Sequence, residues 1–265
     1  MRILVNGATG RMGRELLALA AADPKISVAG AVCRPDHAEI GRDAYEVAGL
    51  VGQQPVPLLG HCDESGACDV VIDFSGPGGF QRALDTALQR GVPLVSGTTG
   101  LDDEALEQIE SAGEQIAVLW APNMSLGMNL LYDLAERAAQ ALGSDADIEI
   151  VEAHHRFKQD APSGSALELG RRVAASRGAD LEQIAHVGRQ GSTGGRRDEE
   201  IGFSSVRAGD IVGEHTVIMA LLGERIELIH RAGQRDVFAQ GALKLARWLL
   251  AQPAGCYAVS DLLNS

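Results

Sequence analysis

The strongest constraint on the fold is a regular alternation of short apolar runs and helix-like segments through the first half of the chain. The apolar runs have the length and β-branched content of buried strands: RILVNG, ISVAGAV, DVVIDFSG, VPLVSG and IAVLWAP. Helix-like segments lie between them at about 11–22, 79–90 and 102–112. Buried strands that alternate with helices are typical of a parallel sheet covered on both faces. The first half is therefore predicted to be α/β, with a Rossmann-type parallel sheet.

The second half of the chain follows a different pattern, which indicates a second domain. A longer helical segment at about 126–142 leads into the strand-like run IEIVEAHH, and another helix is expected at about 165–177, where Pro162 and Ser163 act as start signals. Three strand-like runs then follow without helices between them: IGFSSVR, EHTVIMALL and RIELIHR. Consecutive strands are typical of an α+β domain with a mixed or antiparallel sheet. The last helix, at about 235–251, is expected to pack against the first domain.

The charge balance excludes some classes of partner. The chain of 265 residues has 23 Lys and Arg against 36 Asp and Glu, a net charge of −13, so affinity for nucleic acid or an anionic membrane is not expected. Any anionic ligand needs a local cationic pocket.

The four cysteines show no C-x-x-C spacing, and neither a disulfide framework nor a zinc site is predicted. Reduced thiols, and a start on MRILV without a long apolar stretch, predict a cytoplasmic protein without a signal peptide or membrane span.

The sequence GATGRMG lies between the first predicted strand and the first predicted helix. In this position Gly7, Gly10 and Gly13 would let the backbone approach a pyrophosphate, and the helix N-terminus would supply unpaired N–H donors. Arg11, in the first helical turn, would add positive charge. Ala8 departs from the common G-x-G-x-x-G pattern, and a tight glycine turn in some other α/β protein is the alternative.

The end of the second predicted strand bears on the choice between NADH and NADPH. An NAD-specific site usually has an acid about twenty residues after the glycine loop, which holds the ribose 2′-hydroxyl. Here the strand ends in Cys33, followed by Arg34. An uncharged residue beside an arginine leaves room for a 2′-phosphate and favours NADPH, although Asp36 nearby weakens this inference. A solvated surface cation is the alternative for Arg34.

A second group of polar residues lies in EAHHRFKQDAPSGSA, at 152–166. If the preceding strand continues, its alternation places His154 and Lys158 on one side and His155 on the other. Histidine has an unperturbed side-chain pKa near neutrality, so His154 beside the charge of Lys158 suits general acid catalysis. The alternative is that the two histidines form a polar strand edge and that Lys158 is exposed to solvent.

The helix start after this strand predicts an anion site. Backbone N–H groups of Gly164 and Ser165 would lie at the positive end of a helix dipole, which favours a carboxylate or phosphate. With His154 and Lys158 close by, the segment predicts a receptor for a small anion with a proton donor beside it. Adjacent histidines point to opposite faces of a strand, and no H-E-x-x-H motif or cysteine partner follows, so no metal site is predicted.

Together these motifs resemble the dihydrodipicolinate reductase family, also called 4-hydroxy-tetrahydrodipicolinate reductase, of the diaminopimelate route to lysine. The matching stretches follow the family's order and cover nearly the whole chain: GATGRMG, SGTTG, APNMSLGMN, EAHHRFKQDAPSGSA, IGFSSVRAGDIVGEHTV and GERIELIHRA. The family's glycine loop has the form G-A-x-G-R-M-G. Ala8 therefore belongs to a variant of the nucleotide turn.

The resemblance implies a two-domain protein, usually a homotetramer, that acts on a small cyclic dicarboxylate with NADPH or NADH. On this basis 1–125 together with 235–265 is assigned to a dinucleotide-binding domain. The segment 126–234 is assigned to substrate binding and oligomerisation. Closure of the domains about hinges near 125 and 235 is expected to bring cofactor and substrate together.

The resemblance also implies roles for individual residues. His154 corresponds to the family's proton donor or acceptor and Lys158 to its lysine proton donor. Substrate contacts are expected from His155, Gly164 and Ser165. Cofactor contacts are expected from Gly7, Ala8, Thr9, Gly10, Arg11, Met12, Cys33, Arg34, Gly97, Thr98, Thr99, Ala121, Pro122, Asn123 and Met124.

Two departures from the family pattern accompany these assignments. Many members have a phenylalanine at the position of Met124, and the difference should alter packing near the nicotinamide. Members also commonly have an acid at the position of Cys33, and its absence puts a preference for NADH in doubt.

The family's reaction implies hydride transfer from the reduced nicotinamide to an unsaturated ring, with a proton from His154 helped by Lys158. Two other functions stay open from the residues alone. One is another nicotinamide oxidoreductase, such as an amino-acid or semialdehyde dehydrogenase, but no catalytic cysteine lies near the second motif. The other is a non-enzymatic dinucleotide sensor, which would have no use for the His154 and Lys158 pair.

Overall fold

The chain forms two compact units in a computed structural model that describes residues 1–52 and 54–265. The first unit contains Met1–Leu126 and Asp236–Ser265, and the second contains Gly127–Arg235. The chain therefore returns to the first unit for its last elements. Each unit has its own sheet and its own buried core.

Strands and helices alternate through the first unit, whereas consecutive strands end the second. In chain order the strands are β1 (Arg2–Asn6), β2 (Ser27–Val32), β3 (Leu58–Leu59), β4 (Val70–Asp73), β5 (Leu94–Ser96), β6 (Ala117–Trp120), β7 (Asp147–His154), β8 (Ala185–Val187), β9 (Ile201–Arg207), β10 (Gly213–Leu221), β11 (Glu224–Ala232) and β12 (Gly255–Tyr257). The helices are α1 (Arg11–Ala22), α2 (Ala44–Val47), α3 (Pro77–Arg90), α4 (Asp103–Gly113), α5 (Leu126–Leu142), α6 (Gly164–Ser176), α7 (Leu181–Ile184), α8 (Asp236–Leu249) and α9 (Val259–Leu263).

A parallel sheet organises the first unit. In the part of the chain that the structure describes it has seven strands, in the order β12-β6-β5-β4-β1-β2-β3. Ile3 and Val5 face a core shared with α1 and α8, while Leu4 and Val71 face a core shared with α3 and α4. Both faces are thus covered by helices, which explains the continuous apolar runs of these strands. The predicted Rossmann-type sheet is confirmed.

A mixed sheet organises the second unit. Its order is β11-β10-β7-β9-β8, with β10 antiparallel to β7 and β11, and β9 parallel to β7 and β8. Helices α5 and α6 pack on one face, where Tyr132 of α5 and Leu169 of α6 share a core with Phe203 of β9. On the opposite face Val206 is 44% exposed and Ile229 is 47% exposed. The predicted α+β domain with a mixed sheet is confirmed.

The long elements lie close to the positions that their periodicity predicts. The bounds of α1 and α5 agree with the prediction, and α6 begins one residue earlier than predicted. The edge strands β3 and β12 were missed. They are only 2 and 3 residues long, too short to carry a periodic signal.

A buried carboxylate joins the carboxyl ends of the central strands. Asp73, the last residue of β4, is 0% exposed. Its Oδ1 accepts hydrogen bonds from Asn6 Nδ2 at 2.8 Å and Ser75 Oγ at 2.6 Å. Its Oδ2 accepts from Ser96 Oγ at 2.8 Å and Thr98 Oγ1 at 2.7 Å. Because a buried carboxylate is stable only among donors, these bonds fix the loops after β1, β4 and β5 relative to one another.

Replacing Asp73 by alanine should lower the free energy of unfolding by about 1–3 kcal/mol, because buried hydroxyl and amide donors lose their acceptor. Urea denaturation measures the change. Asp198→Ala is the control, since Asp198 is exposed, and it should stay within about 0.5 kcal/mol of the unchanged protein. Equal, small effects of the two substitutions would show that Asp73 does not organise these loops.

Candidate active site

The loop between β1 and α1 packs tightly against its neighbours at its glycines. Gly7 has a φ of +87°, and a Cβ there would lie 2.5 Å from the carbonyl oxygen of Phe74. A Cβ at Gly13 would lie 2.2 Å from the carbonyl oxygen of Gly7. The first turn of α1 therefore rests directly on the loop backbone, and no larger residue fits at either position. This is the close backbone packing that a dinucleotide-binding turn requires.

The start of α1 offers free N–H groups. Within the described chain the amides of Arg11 and Met12 make no hydrogen bond, whereas those of Gly7 and Ala8 both donate to Val32 O at 2.9 Å. First-turn amides have no acceptor inside their own helix, and they lie at the positive end of its dipole. They are suited to bind the oxygens of a pyrophosphate.

The side chains of this loop point in different directions. Ala8 is 1% exposed, and Met12 packs against the core of the first unit. Arg11 is exposed, and Thr9 lines the neighbouring cleft. Any contact of Ala8 with a cofactor must therefore come from its backbone.

A cleft of about 560 Å³ lies at the carboxyl ends of β1, β2 and β4. Because β1 lies between β2 and β4, the order of strands reverses here. Open α/β sheets bind ligands at such a reversal. The lining comes from the glycine loop, the end of β2 and the segment leading into α3: Asn6, Gly7, Thr9, Gly10, Cys33, Arg34, Pro35, Asp36, Phe74, Ser75, Gly76, Pro77, Gly78, Gly79 and Arg82.

The end of β2 presents a neutral residue followed by an exposed cation. Cys33 is 4% exposed, its Sγ lies 3.6 Å from the carbonyl oxygen of Leu59, and burial raises the pKa of the thiol. The side chain of Arg34 is 78% exposed and lies 3.9 Å from Asp36. The position that would hold an acid in an NAD-specific site is thus uncharged, and Arg34 lines the same cleft.

Arg82 is a second arginine in this cleft, and the sequence analysis missed it. It lies on α3, and its Nε is buried without an acceptor within the described chain. Arg82 also makes no ion pair with any carboxylate of the described residues. In the sequence it is one arginine in a helical pattern. Only the packing of α3 beside the loop after β4 brings it to this cleft.

The predicted contacts after β5 and β6 are held by buried packing. Thr98 is 2% exposed, and its carbonyl oxygen accepts a hydrogen bond from Trp120 Nε1 at 2.8 Å. A Cβ at Gly97 would lie 2.1 Å from the ring of Phe74. The side chain of Met124 is 1% exposed in the core, so a contact with the nicotinamide could involve only its backbone. The remaining predicted contacts follow the same two strands: Thr99, Ala121, Pro122 and Asn123.

In the second unit, His154 is the last residue of β7 and contacts a buried glutamate. Its Nδ1 lies 2.5 Å from Oε2 of Glu152, which is 1% exposed. Burial lowers the pKa of His154, the charges of Lys158 and Arg207 lower it further, and Glu152 opposes them. The other ring nitrogen, Nε2, lies over Gly213, where a Cβ would be only 3.2 Å away.

Glu152 is itself held by an arginine of the neighbouring strand. Arg207 Nη1 donates to Oε2 at 2.8 Å and Nη2 donates to Oε1 at 2.7 Å, while the amide of Ser163 donates to Oε1 at 3.2 Å. Burial alone would raise the pKa of Glu152. Hydrogen bonds from Arg207, Ser205 and His154 outweigh burial and place it at about 2. The carboxylate is therefore charged at neutral pH.

A second imidazole lies beside His154. The ring of His215, on β10, is 5.3 Å from that of His154 between centroids, and its Nε2 lies 3.2 Å from Oγ of Ser163. Burial lowers the pKa of His215 to about 3, and the charge of His154 adds to this effect. Within the described chain only His154 of this pair has a carboxylate at hydrogen-bond distance. An added proton therefore resides on His154.

The chain turns immediately after His154, so the alternation of a continuing strand does not apply to Lys158. The amide of Lys158 donates to the carbonyl oxygen of His155 at 3.1 Å, which closes a turn. Lys158 Nζ pairs with Oδ1 of Asp160 at 2.9 Å. Its charge lowers the pKa of both His154 and His215. Lys158 therefore approaches the two imidazoles from a turn rather than along the strand.

The start of α6 lies next to this group. Ser163 caps the helix, and its Oγ accepts a hydrogen bond from the amide of Ala166 at 3.2 Å. Gly164 is exposed, and its amide makes no hydrogen bond within the described chain. Ser165 hydrogen-bonds the hydroxyl of Tyr132. Nδ1 of His155 is buried without a partner among the described residues. The roles of His155, Gly164 and Ser165 in substrate binding stay predictions.

Residues 1–52 and 54–265 contain no group of three or more His, Cys, Asp or Glu side chains that could hold a metal ion. None of the helices there is long and apolar enough to cross a membrane. All four cysteines are free thiols.

Each unit thus contains a group of residues suited to bind an anionic ligand. The first has a tight glycine turn, free helix amides and two arginines at a cleft. The second has an imidazole with a fixed carboxylate partner, a lysine and a free helix amide. The first set suits a dinucleotide, and the second suits the binding and protonation of a small anion.

Gly13→Ala should weaken dinucleotide binding by at least about tenfold, because the new Cβ must displace the loop backbone that approaches the pyrophosphate. The dissociation constant of NADP⁺, measured by calorimetry, reports the change. Gly195→Ala is the matched control, since a Cβ there meets nothing within 4 Å. If both variants bound NADP⁺ as tightly as the unchanged protein, the loop would not be the pyrophosphate site.

The chain is similar to known proteins along nearly its whole length. The family model "Dihydrodipicolinate reductase, N-terminus" matches residues 1–124, and "Dihydrodipicolinate reductase, C-terminus" matches residues 127–263. Three relatives named 4-hydroxy-tetrahydrodipicolinate reductase are similar over nearly their full length. The protein of Methylococcus capsulatus is 46% identical over 100% of this chain and 98% of its own. The protein of Thiobacillus denitrificans is 46% identical over 100% of this chain and 98% of its own. The protein of Halorhodospira halophila is 47% identical over 98% of this chain and 97% of its own.

Solved structures share the fold. Dipicolinate-bound dihydrodipicolinate reductase from Paenisporosarcina sp. TG-14 has a TM-score of 0.75 at 24% identity, with 97% of both chains covered. GenD2 from gentamicin A biosynthesis, in complex with NAD, has a TM-score of 0.55 at 14% identity, over 94% of this chain and 85% of its own. The two family models together match nearly every residue, and the relatives are similar from end to end. The chain therefore belongs to the dihydrodipicolinate reductase family.

Proposed function

We propose that this protein is an NAD(P)H-dependent 4-hydroxy-tetrahydrodipicolinate reductase, an oxidoreductase of the diaminopimelate route to lysine. It reduces the cyclic dicarboxylate to tetrahydrodipicolinate. The observation that carries the proposal is the pairing of His154 with a buried carboxylate beside the start of α6. This pairing occurs in a chain that matches the family and its named relatives from end to end.

The residues of the first unit fit a reduced dinucleotide. Tight packing at Gly7 and Gly13 brings the backbone close, and the free amides of Arg11 and Met12 bind the pyrophosphate. When bound, the nicotinamide supplies the hydride of the reaction. A neutral end of β2 and two arginines at the cleft favour the 2′-phosphate of NADPH over the free hydroxyl of NADH.

A dicarboxylate needs cations and N–H donors in a protein whose net charge is −13. The second unit supplies Lys158 and the free amide of Gly164 at the positive end of α6. One solved neighbour binds dipicolinate, and we assign a ligand of the same dicarboxylate class to this site. Lys158 must then share its charge between the ligand and Asp160, its partner at 2.9 Å.

His154 donates the proton that completes the reduction. Its Nδ1 is occupied by Glu152, so Nε2 is the nitrogen that can face a ligand. Gly213 leaves the space next to Nε2 free of side-chain atoms. The positive charge of Lys158 favours release of the proton, because it lowers the pKa of His154.

The two other candidate functions fit the molecule less well. A semialdehyde dehydrogenase needs a cysteine nucleophile, and all four cysteines belong to the first unit while His154 belongs to the second. A dinucleotide sensor would not need a charged carboxylate buried beside an imidazole. Burying such a charge is costly, and its position next to His154 favours a catalytic use.

The exposed sheet face of the second unit supports assembly into a homotetramer. Val206 and Ile229 lie on the face opposite α5 and α6, and both are more than 40% exposed. Exposed apolar side chains on a sheet face are suited to pack against another copy. A reducing compartment such as the cytoplasm is expected, because the four cysteines are free thiols.

His154→Gln should lower kcat by about two to four orders of magnitude, the usual contribution of a general acid, and leave dinucleotide binding unchanged. The assay follows oxidation of NADPH and of NADH, separately, with the product of dihydrodipicolinate synthase as substrate. His61→Gln is the control, because His61 is exposed in the first unit. An unchanged kcat for His154→Gln would remove this residue from the mechanism.

Arg82→Gln should raise the dissociation constant of NADP⁺ by about tenfold or more and change that of NAD⁺ much less, because only NADP⁺ carries the 2′-phosphate. Direct binding to the free protein measures both constants. Arg137→Gln makes the same change of net charge at an exposed site of the second unit and should affect neither. Equal effects on the two dinucleotides would show that Arg82 does not contact the 2′-phosphate.

A further inference from the structure

We infer that Glu152, held in place by Arg207, is a positioning residue: it fixes the imidazole of His154 so that Nε2 is always the nitrogen that gives the proton. Neither residue was assigned a role by the sequence motifs. Because this role rests on the proposed function of His154 as the acid, the tests below include one that does not depend on activity.

The geometry settles which nitrogen faces Glu152. The carboxylate is charged and can only accept hydrogen bonds. It lies 2.5 Å from Nδ1 of His154, so Nδ1 must carry a hydrogen. In the neutral imidazole the free lone pair is therefore on Nε2. In the protonated imidazole the hydrogen available for transfer is the one on Nε2.

Arg207 makes this orientation rigid. Its two terminal nitrogens bind both oxygens of Glu152, at 2.8 and 2.7 Å, in the two-point geometry that aligns guanidinium and carboxylate. The amide of Ser163 occupies Oε1 as well, at 3.2 Å. The carboxylate therefore has no freedom to rotate away from His154.

The same arginine reaches the turn that carries the lysine. Arg207 Nη2 donates to the carbonyl oxygen of Asp160 at 2.6 Å, and Asp160 pairs with Lys158. One buried ion pair thus connects β7, β9, the start of α6 and the turn after His154. Its geometry fits an arginine and not a lysine, which has no planar two-point donor.

Charge gives Glu152 a second effect on the same histidine. The groups facing His154 are Glu152 on its own strand, Arg207 on β9, His215 on β10, and Lys158 and Asp160 in the turn. Lys158 and Arg207 both disfavour a protonated imidazole, and Glu152 is the carboxylate in contact with it. Without Glu152, His154 would lose most of its capacity to hold a proton near neutrality.

The first test is the pH profile of kcat/KM for Glu152→Gln, a substitution of nearly the same size. The acid must be protonated, so activity falls as pH rises through its pKa. This fall is the basic limb of the pH profile. Removing the negative charge of Glu152 should lower the pKa of His154 and so move this limb to lower pH by about one unit. The loss should therefore approach about tenfold at pH values above the pKa of His154 and disappear well below it, with a smaller change in KM for the dicarboxylate than in kcat.

Two further variants separate positioning from a general loss of structure. Glu152→Asp keeps the charge and should place the limb between those of the unchanged protein and Glu152→Gln. Glu214→Gln makes the same charge change on the opposite face of the sheet, where Glu214 pairs with Arg231 at 3.1 Å, and should leave the profile unmoved. A lower rate for Glu152→Gln with no shift of the limb would overturn the inference.

The second test needs no variant and no substrate. The ¹⁵N chemical shifts of the imidazole in the unchanged protein identify the neutral tautomer of His154, and Nδ1–H is expected. A predominantly Nε2–H tautomer would overturn the inference even if Glu152→Gln failed to fold. If the unchanged protein did not reduce the dicarboxylate, the proposed function would be wrong. The tautomer of His154 would still show whether Glu152 fixes the orientation of the imidazole.

Discussion

Both units of this protein are organised by a carboxylate buried at the end of a strand. Asp73 is 0% exposed and Glu152 is 1% exposed. A charge or polar group removed from water is tolerated only when donors surround it, so each carboxylate dictates where the nearby loops must lie. Asp73 gathers the loops that form the dinucleotide cleft. Glu152 gathers an imidazole, an arginine and a helix start.

The distribution of charge fits the proposed binding of two anionic ligands by an acidic protein. The net charge is −13, yet arginines line the cleft of the first unit, and Lys158 lies near His154 in the second. Arg82 has no carboxylate partner among the described residues. Attraction of an anionic ligand therefore depends on these local cations and not on the net charge. The specificity of both sites comes from a few fixed groups.

The sequence predicted the two domains' fold classes because long periodic segments such as α1 and α5 determine them. It indicated the glycine loop and His154 because these residues lie within short local motifs. It did not reveal Arg207, which lies far along the chain from Glu152 and reaches it only through the pairing of β9 with β7. It left open whether the chain bends after His154, since an alternating pattern does not show where a strand ends.

In the proposed site, the imidazole fixed by Glu152 and the start of α6 form one receptor for a dicarboxylate. A crystal structure of the protein with NADP⁺ and dipicolinate tests this most directly. We expect a carboxylate of the ligand at hydrogen-bond distance from the amide of Gly164, with Nε2 of His154 directed at the ring. Dipicolinate bound away from α6, or an imidazole turned so that Nδ1 faces the ligand, would contradict it.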